Sequence, residues 1–133
     1  MTSNFNNYTR FVNTVTSTPS KDSDAFIYRL QELGGDVAIQ RLLTASIGIS
    51  AESGEFMEIV KKMIFQGKPA NDDNLEHLKI ELGDIMWYVA QAALALDVRL
   101  DEVIYTNTLK LAARYPNQMF EVGYSENRAP GDI

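Results

Sequence analysis

Several residue types and patterns are missing from this sequence, and each absence excludes a class of protein. There is no cysteine, so disulfides, thiolate metal ligands and cysteine nucleophiles are excluded. The single histidine, His77, has Asn74 three residues before it, which excludes the paired Glu-x-x-His motifs of di-iron bundles. No apolar run approaches membrane length, the N-terminus lacks a secretory pattern, and no stretch alternates with the period of a strand. We therefore expect a cytoplasmic helical protein that does not contact a membrane.

Positive charge is also scarce. The chain has 12 basic and 18 acidic residues, which gives a formal net charge of −6. Such a surface repels a phosphate backbone, so we expect no nucleic-acid partner. An anionic small molecule remains compatible with this charge, because bound divalent cations would invert the local field.

The apolar residues recur with a helical period along most of the chain, which predicts an all-α fold, an antiparallel bundle of about five helices. At 133 residues the chain has the length of one domain. We divide residues 1–133 into N-terminal helices (1–35), a core (36–116) and an irregular C-terminal tail (117–133) that docks on its own or a neighbouring subunit. The first two predicted helices span residues 4–15 and a stretch through Leu33 that Asp22 or Ser23 caps and Gly34-Gly35 ends. The other three span about residues 36–66, 75–96 (capped by Asp73 or Asn74) and 100–114.

Four acidic residues form two pairs in the core. Glu52 and Glu55 lie in the third predicted helix, and Glu81 and Asp84 lie in the fourth. A helix turns about 100° and rises about 1.5 Å per residue, so acids three residues apart are neighbours on one face. Two such pairs, on helices that fold back across a short loop, would converge. Like charges among apolar residues need a cation between them, and carboxylates suit Mg²⁺ or Mn²⁺.

The ordered motif Glu52-x-x-Glu55, 25 intervening residues and Glu81-x-x-Asp84 resembles the signature of the MazG-like nucleoside triphosphate pyrophosphohydrolases. The flanking segments AESGEF and ELGDIMWYVA are similar to the family's segments at the same places. The run from Asn107 to Pro116 also resembles the family's N-x-x-K-x-x-x-R-[YF]-P ending. The resemblance covers about residues 47–116, roughly half of the chain.

The resemblance implies hydrolysis of a (deoxy)nucleoside triphosphate to the monophosphate and pyrophosphate, with Mg²⁺ or Mn²⁺ as cofactor. It also implies assembly as a homo-oligomer, a homodimer or a dimer-based homotetramer, which the long apolar second half of the fourth helix favours as well. Glu55 either binds metal or takes the proton from the attacking water. By this match the metal ligands are Glu52, Glu55, Glu81 and Asp84, and the substrate-binding residues are Asn107, Lys110, Arg114 and Tyr115.

Three neighbours of these acids have two interpretations each. Trp87 either packs in the core, which its apolar neighbours favour, or stacks on the nucleobase. Glu58 either supports the metal ligands or pairs with Lys61 or Lys62. His77, four residues before Glu81, is either a surface side chain or a support for that carboxylate.

Two other functions are compatible with the sequence. One is a more selective hydrolase within the same class, directed to dUTP or dCTP or acting on phosphoribosyl-ATP. The other is a non-catalytic helical interaction module that binds metal without turnover. A screen of nucleotides for hydrolysis separates all three possibilities.

Overall fold

The computed structural model describes residues 2–127, and in that range it contains α-helices, one short 3₁₀ turn and no β-strand. The all-α prediction is therefore confirmed. No helix in the described range is both long and apolar enough to cross a bilayer. The six helices are α1 (Thr2–Val15), α2 (Ser23–Leu33), α3 (Ile39–Phe65), α4 (Asp72–Ala95), α5 (Leu100–Arg114) and α6 (Val122–Glu126), and the 3₁₀ turn spans Thr18–Ser20.

An antiparallel hairpin of α3 and α4 is the main packing unit of the chain. Gly67 ends α3 in a left-handed conformation (φ 70°), and the Lys68 N–H closes the helix end by donating to the Lys62 carbonyl oxygen at 3.1 Å. The Asn71 side chain then caps α4 by accepting from the Asn74 N–H at 3.1 Å. Because the connection is so short, the two helices must lie side by side.

Small residues let α3 and α4 approach closely. Ala45 and Gly48 on α3 and Ala93 on α4 are buried, and a Cβ atom built on Gly48 would overlap the ring of Tyr88. This contact sets the register of the hairpin. The two helices are antiparallel. A residue of α3 that follows Gly48 by a given number of positions therefore lies opposite the residue of α4 that precedes Tyr88 by the same number.

The other helices have much less contact with this hairpin. α2 packs on the 3₁₀ turn and on α3, whereas within the described residues neither α1 nor α5 packs extensively on another helix. Residues 101–113 of α5 are all exposed. Within the described part of one chain, the bundle that the sequence predicts is therefore not complete.

Three details of the predicted secondary structure were wrong. α3 begins at Ile39 rather than near Asp36, and α4 begins at Asp72, before the predicted caps at Asp73 or Asn74. The tail that we predicted to be irregular contains the short helix α6. The part of the tail before α6 folds back on the end of α5, where the centroids of the Phe120 and Tyr115 rings are 5.9 Å apart. Residues 128–133 of the predicted tail lie outside the described residues.

Candidate metal centre

Three of the four predicted metal ligands meet at one point on the α3–α4 hairpin. Each of Glu52, Glu55 and Glu81 offers a carboxylate oxygen, and these oxygens lie within 4.8 Å of one another. The register explains this convergence, because Glu55 lies seven residues after Gly48 and Glu81 lies seven residues before Tyr88. Glu81 is 5% exposed, Glu52 is half-buried and Glu55 is exposed, so the cluster is open on the Glu55 side.

Asp84 lies beside this triad rather than within it. It stands opposite Glu52 in the hairpin register, and its side chain is exposed. Its charge nevertheless reaches the triad: partial burial, and then the carboxylates of Glu55, Asp84 and Glu81, raise the pKa of Glu52. A cation at this point would replace that repulsion with attraction. The donor set, entirely carboxylate oxygen, therefore fits Mg²⁺ or Mn²⁺.

The sequence left the roles of Glu58 and His77 open. In the structure Glu58 pairs with a lysine outside the triad, whereas His77 contacts a member of the triad. Glu58 lies 3.0 Å from the Lys62 ammonium nitrogen, and this contact together with Lys61 lowers the pKa of Glu58. Its charge is thus already neutralised by lysine. His77 instead places its Nε2 atom 2.9 Å from Oε1 of Glu81. His77 is therefore a neighbour of the triad, and its four-residue spacing from Glu81 on α4 was the signal for this contact in the sequence.

The predicted phosphate-binding residues are not brought to the triad by this chain. Asn107, Lys110 and Arg114 all lie on α5, which does not pack along the α3–α4 hairpin. Tyr115 follows α5 directly and contacts Phe120 of the tail instead. One chain therefore carries two separate groups of predicted site residues, the acids on the hairpin and the polar residues on α5.

Trp87 does not lie in the core of the chain. Its side chain is 54% exposed, and its ring meets the Tyr88 ring edge-on, with 4.8 Å between the centroids. It follows Asp84 by three residues, so it lies about one helical turn from Asp84. The core-packing interpretation that the sequence favoured does not hold within one chain, and an aromatic face is available beside the acids.

The fold and the site define a class: an all-α protein whose long hairpin gathers carboxylates from both helices. The family model of the MazG nucleotide pyrophosphohydrolase domain matches residues 40–119, which include all four acids and the α5 residues. The chain is also 36% identical over 107 residues to the gene 37 protein of Mycobacterium phage L5, covering 80% of this chain and 91% of that protein. No solved structure matches the present chain. The chain belongs to the MazG nucleotide pyrophosphohydrolase family.

The raised pKa of Glu52 predicts that the substitution Glu52→Gln changes stability in opposite directions with and without metal. In the metal-free fold the raised pKa means that stability falls as the pH rises through the range above the usual value of 4.5. In EDTA at pH 7, Glu52→Gln should therefore unfold at the same or a higher temperature than the wild type. With Mg²⁺ at about 100 times its dissociation constant, the wild type should gain about 2.7 kcal/mol, and the variant clearly less.

Thermal unfolding at one fixed protein concentration measures both effects. A variant that is less stable than the wild type in EDTA would contradict the electrostatic argument, because it would mean that Glu52 stabilises the metal-free fold. Glu58→Gln is the matched control, since Glu58 pairs with Lys62 outside the triad. Its response to Mg²⁺ should equal that of the wild type.

Proposed function

We propose that this protein hydrolyses (deoxy)nucleoside triphosphates to the nucleoside monophosphate and pyrophosphate, with Mg²⁺ or Mn²⁺ as cofactor. One observation carries the proposal: within a MazG domain, carboxylates from two helices converge at a point where a bound cation would relieve their repulsion. Membership of the family supports pyrophosphohydrolase activity in general. The metal, the attacked phosphorus and the residue roles are our proposal.

In the proposed reaction, water attacks the α-phosphorus and the bond from that phosphorus to the oxygen bridging to the β-phosphorus breaks. Glu52, Glu55, Glu81 and Asp84 would hold the cation, which would supply charge neutralisation and Lewis-acid activation. Glu55 is also the acid best placed to accept the proton of the water instead of binding metal, because it is the exposed member of the triad. Trp87 offers a ring face for the base one turn away.

The departing pyrophosphate needs positive charge and hydrogen-bond donors. Lys110 and Arg114 lie four residues apart on α5, with Asn107 one turn before Lys110. Because α5 does not reach the acids of its own chain, we propose that α5 of a second copy supplies these groups. The active site would then be complete only in a homodimer or in a tetramer built from dimers.

The exposed apolar surface supports an oligomer independently of the site. In the described part of the chain no large side chain is fully buried. Several helices carry large apolar side chains that are at least half exposed, which is more than a stable monomer leaves in water. Examples are Phe5, Tyr8, Phe11 and Val15 on α1, Leu82, Met86 and Leu94 on α4, and Ile104, Tyr105 and Leu109 on α5.

A shared site predicts that two inactive variants restore activity when they are mixed. Glu55→Gln damages the hairpin half of the site and Arg114→Ala damages the α5 half. In a mixed dimer one of the two sites receives both intact halves, so an equimolar mixture that exchanges subunits should regain about a quarter of the wild-type rate. The measurement is pyrophosphate release after co-refolding.

The control for this experiment is a mixture of Glu55→Gln with Glu81→Gln, which damage the same half of the site. It should stay inactive. If the first mixture also stays inactive while native mass spectrometry shows mixed oligomers, the two halves come from one chain and the shared-site proposal is wrong.

The reaction itself is tested by product analysis. Each common rNTP and dNTP is incubated with the protein and Mg²⁺ or Mn²⁺, and the products are separated by ion-exchange chromatography. Monophosphate and pyrophosphate in equal amounts, abolished by EDTA, would support the proposal, and turnover of dUTP, dCTP or phosphoribosyl-ATP alone would favour a selective hydrolase. Release of orthophosphate would contradict attack at the α-phosphorus. Metal binding without turnover of any nucleotide would favour the interaction module.

A further inference from the structure

We infer that His77 is a positioning residue for the metal centre: it holds the Glu81 carboxylate in place and leaves its negative charge available to the cation. The inference rests on the proposed function, since Glu81 must be a metal ligand for the position of its carboxylate to matter.

The geometry connects an exposed donor to a buried acceptor. The His77 side chain is 52% exposed, the Glu81 side chain is 7% exposed, and Nε2 of His77 lies 2.9 Å from Oε1 of Glu81. Since a carboxylate oxygen can only accept, His77 is the residue able to donate across this contact. Among the described residues, Glu81 is the one member of the triad whose carboxylate forms an ion-pair contact with a side-chain nitrogen.

This contact matters because Glu81 is the most buried of the three acids. A buried carboxylate without a donor is costly, and its repulsion by the other two would favour turning it away. A donor on one oxygen fixes the side-chain conformation and leaves the other oxygen for a cation. Outer hydrogen-bond partners of metal ligands act in this way in metal sites generally.

A comparison within the hairpin shows why histidine suits this place. Glu58 has a lysine, Lys62, four residues away, and this ammonium group neutralises its charge. Glu81 also has its partner four residues away, but the partner is an imidazole, which can donate a hydrogen bond without carrying a charge. A lysine at position 77 would compete with the cation for Glu81, whereas a histidine need not.

The test measures Mn²⁺ binding to the folded protein without nucleotide, by the loss of the electron paramagnetic resonance signal of free Mn²⁺. His77→Ala should raise the Mn²⁺ dissociation constant about tenfold. His77→Gln, whose amide nitrogen can donate over a similar reach, should stay within about threefold of the wild type. Lys79→Ala is the control, because Lys79 is an exposed cation on the same helix that pairs with Glu76; it should leave the dissociation constant unchanged.

The other outcomes separate this inference from the proposed function. If Glu81→Gln abolishes Mn²⁺ binding while His77→Ala binds like the wild type, the positioning role is wrong and the metal centre stands. Equal losses in His77→Ala and His77→Gln, in proteins with wild-type circular dichroism spectra, would also overturn it, because a donor at this place would not restore affinity. If Glu81→Gln binds Mn²⁺ as tightly as the wild type, the proposed metal centre fails as well.

Discussion

Replacing Glu81 with Gln is expected to lower the rate of nucleotide hydrolysis by roughly a thousandfold. A metal ion contributes several kcal/mol to stabilising the charge of the transition state, and each 1.4 kcal/mol corresponds to about a factor of ten in rate. Glu81 is the buried member of the triad, and the one whose carboxylate lies 2.9 Å from Nε2 of His77. Its loss should therefore affect the bound cation more than the loss of the exposed Glu55 carboxylate would.

Gln has the shape of Glu, so this substitution removes charge with little change in packing. Without metal the three carboxylates of the triad repel one another. The unfolding temperature of Glu81→Gln in EDTA should therefore be no lower than that of the wild type. The measurement is kcat/KM for pyrophosphate release at saturating Mg²⁺, with Glu58→Gln as the matched control. Glu58→Gln should retain activity within about threefold of the wild type, because surface ion pairs contribute little. Wild-type activity in Glu81→Gln would exclude the triad as the metal centre.

The second large effect is expected at Gly48, where alanine should destabilise the protein by about 1–3 kcal/mol. Inside a helix, alanine ordinarily stabilises a protein by about 1 kcal/mol relative to glycine, so helix propensity alone predicts that Gly48→Ala raises the free energy of unfolding. The overlap with the Tyr88 ring decides the outcome, since the atoms concerned include the ring carbon next to its Cβ, which cannot move far without moving the helix. A displaced α4 would also separate Glu55 from Glu81 and weaken Mn²⁺ binding.

Denaturant unfolding at one protein concentration, together with Mn²⁺ titration, measures both consequences. Gly83→Ala is the matched control, because Gly83 lies inside α4 and an added Cβ atom meets nothing within 4 Å in the chain. It should raise the free energy of unfolding by up to about 1 kcal/mol. Removing the ring in the double variant Gly48→Ala/Tyr88→Ala should recover part of the loss, since the two sites are in contact. Additive losses would mean that the ring does not set the register.

Local rules predicted the helices well because the signals are local. Asp22 caps α2 through the Ala25 N–H as expected, and α5 spans the predicted residues 100–114. The start of α4 was placed too late because its first turn is entirely polar, so the apolar period begins only at Leu75, three residues after the helix does. The short α6 was missed because five residues are too few to show a period.

Some features of the candidate site follow from the spacing of residues along the chain, whereas others depend on how the helices pack. The three-residue spacing of the acids and the short loop predicted that carboxylates from two helices converge, and three of the four do. The spacing could not show that Asp84 stands outside the triad, which depends on how the two helices are rotated about their axes. It also could not place Asn107 and Lys110 relative to the acids, because that depends on where α5 packs, which one chain does not determine.

The short connection between α3 and α4 has a consequence for the order of events during synthesis. The hairpin consists of residues close in sequence, and contacts of this kind form fast. It can therefore fold while α5 is still in the ribosomal exit tunnel. In the oligomer that we propose, α1 and α5 pack on a second chain, so maturation would end with a slower encounter between two nascent or newly released chains. The yield of native protein should then depend on the density of ribosomes on its messenger.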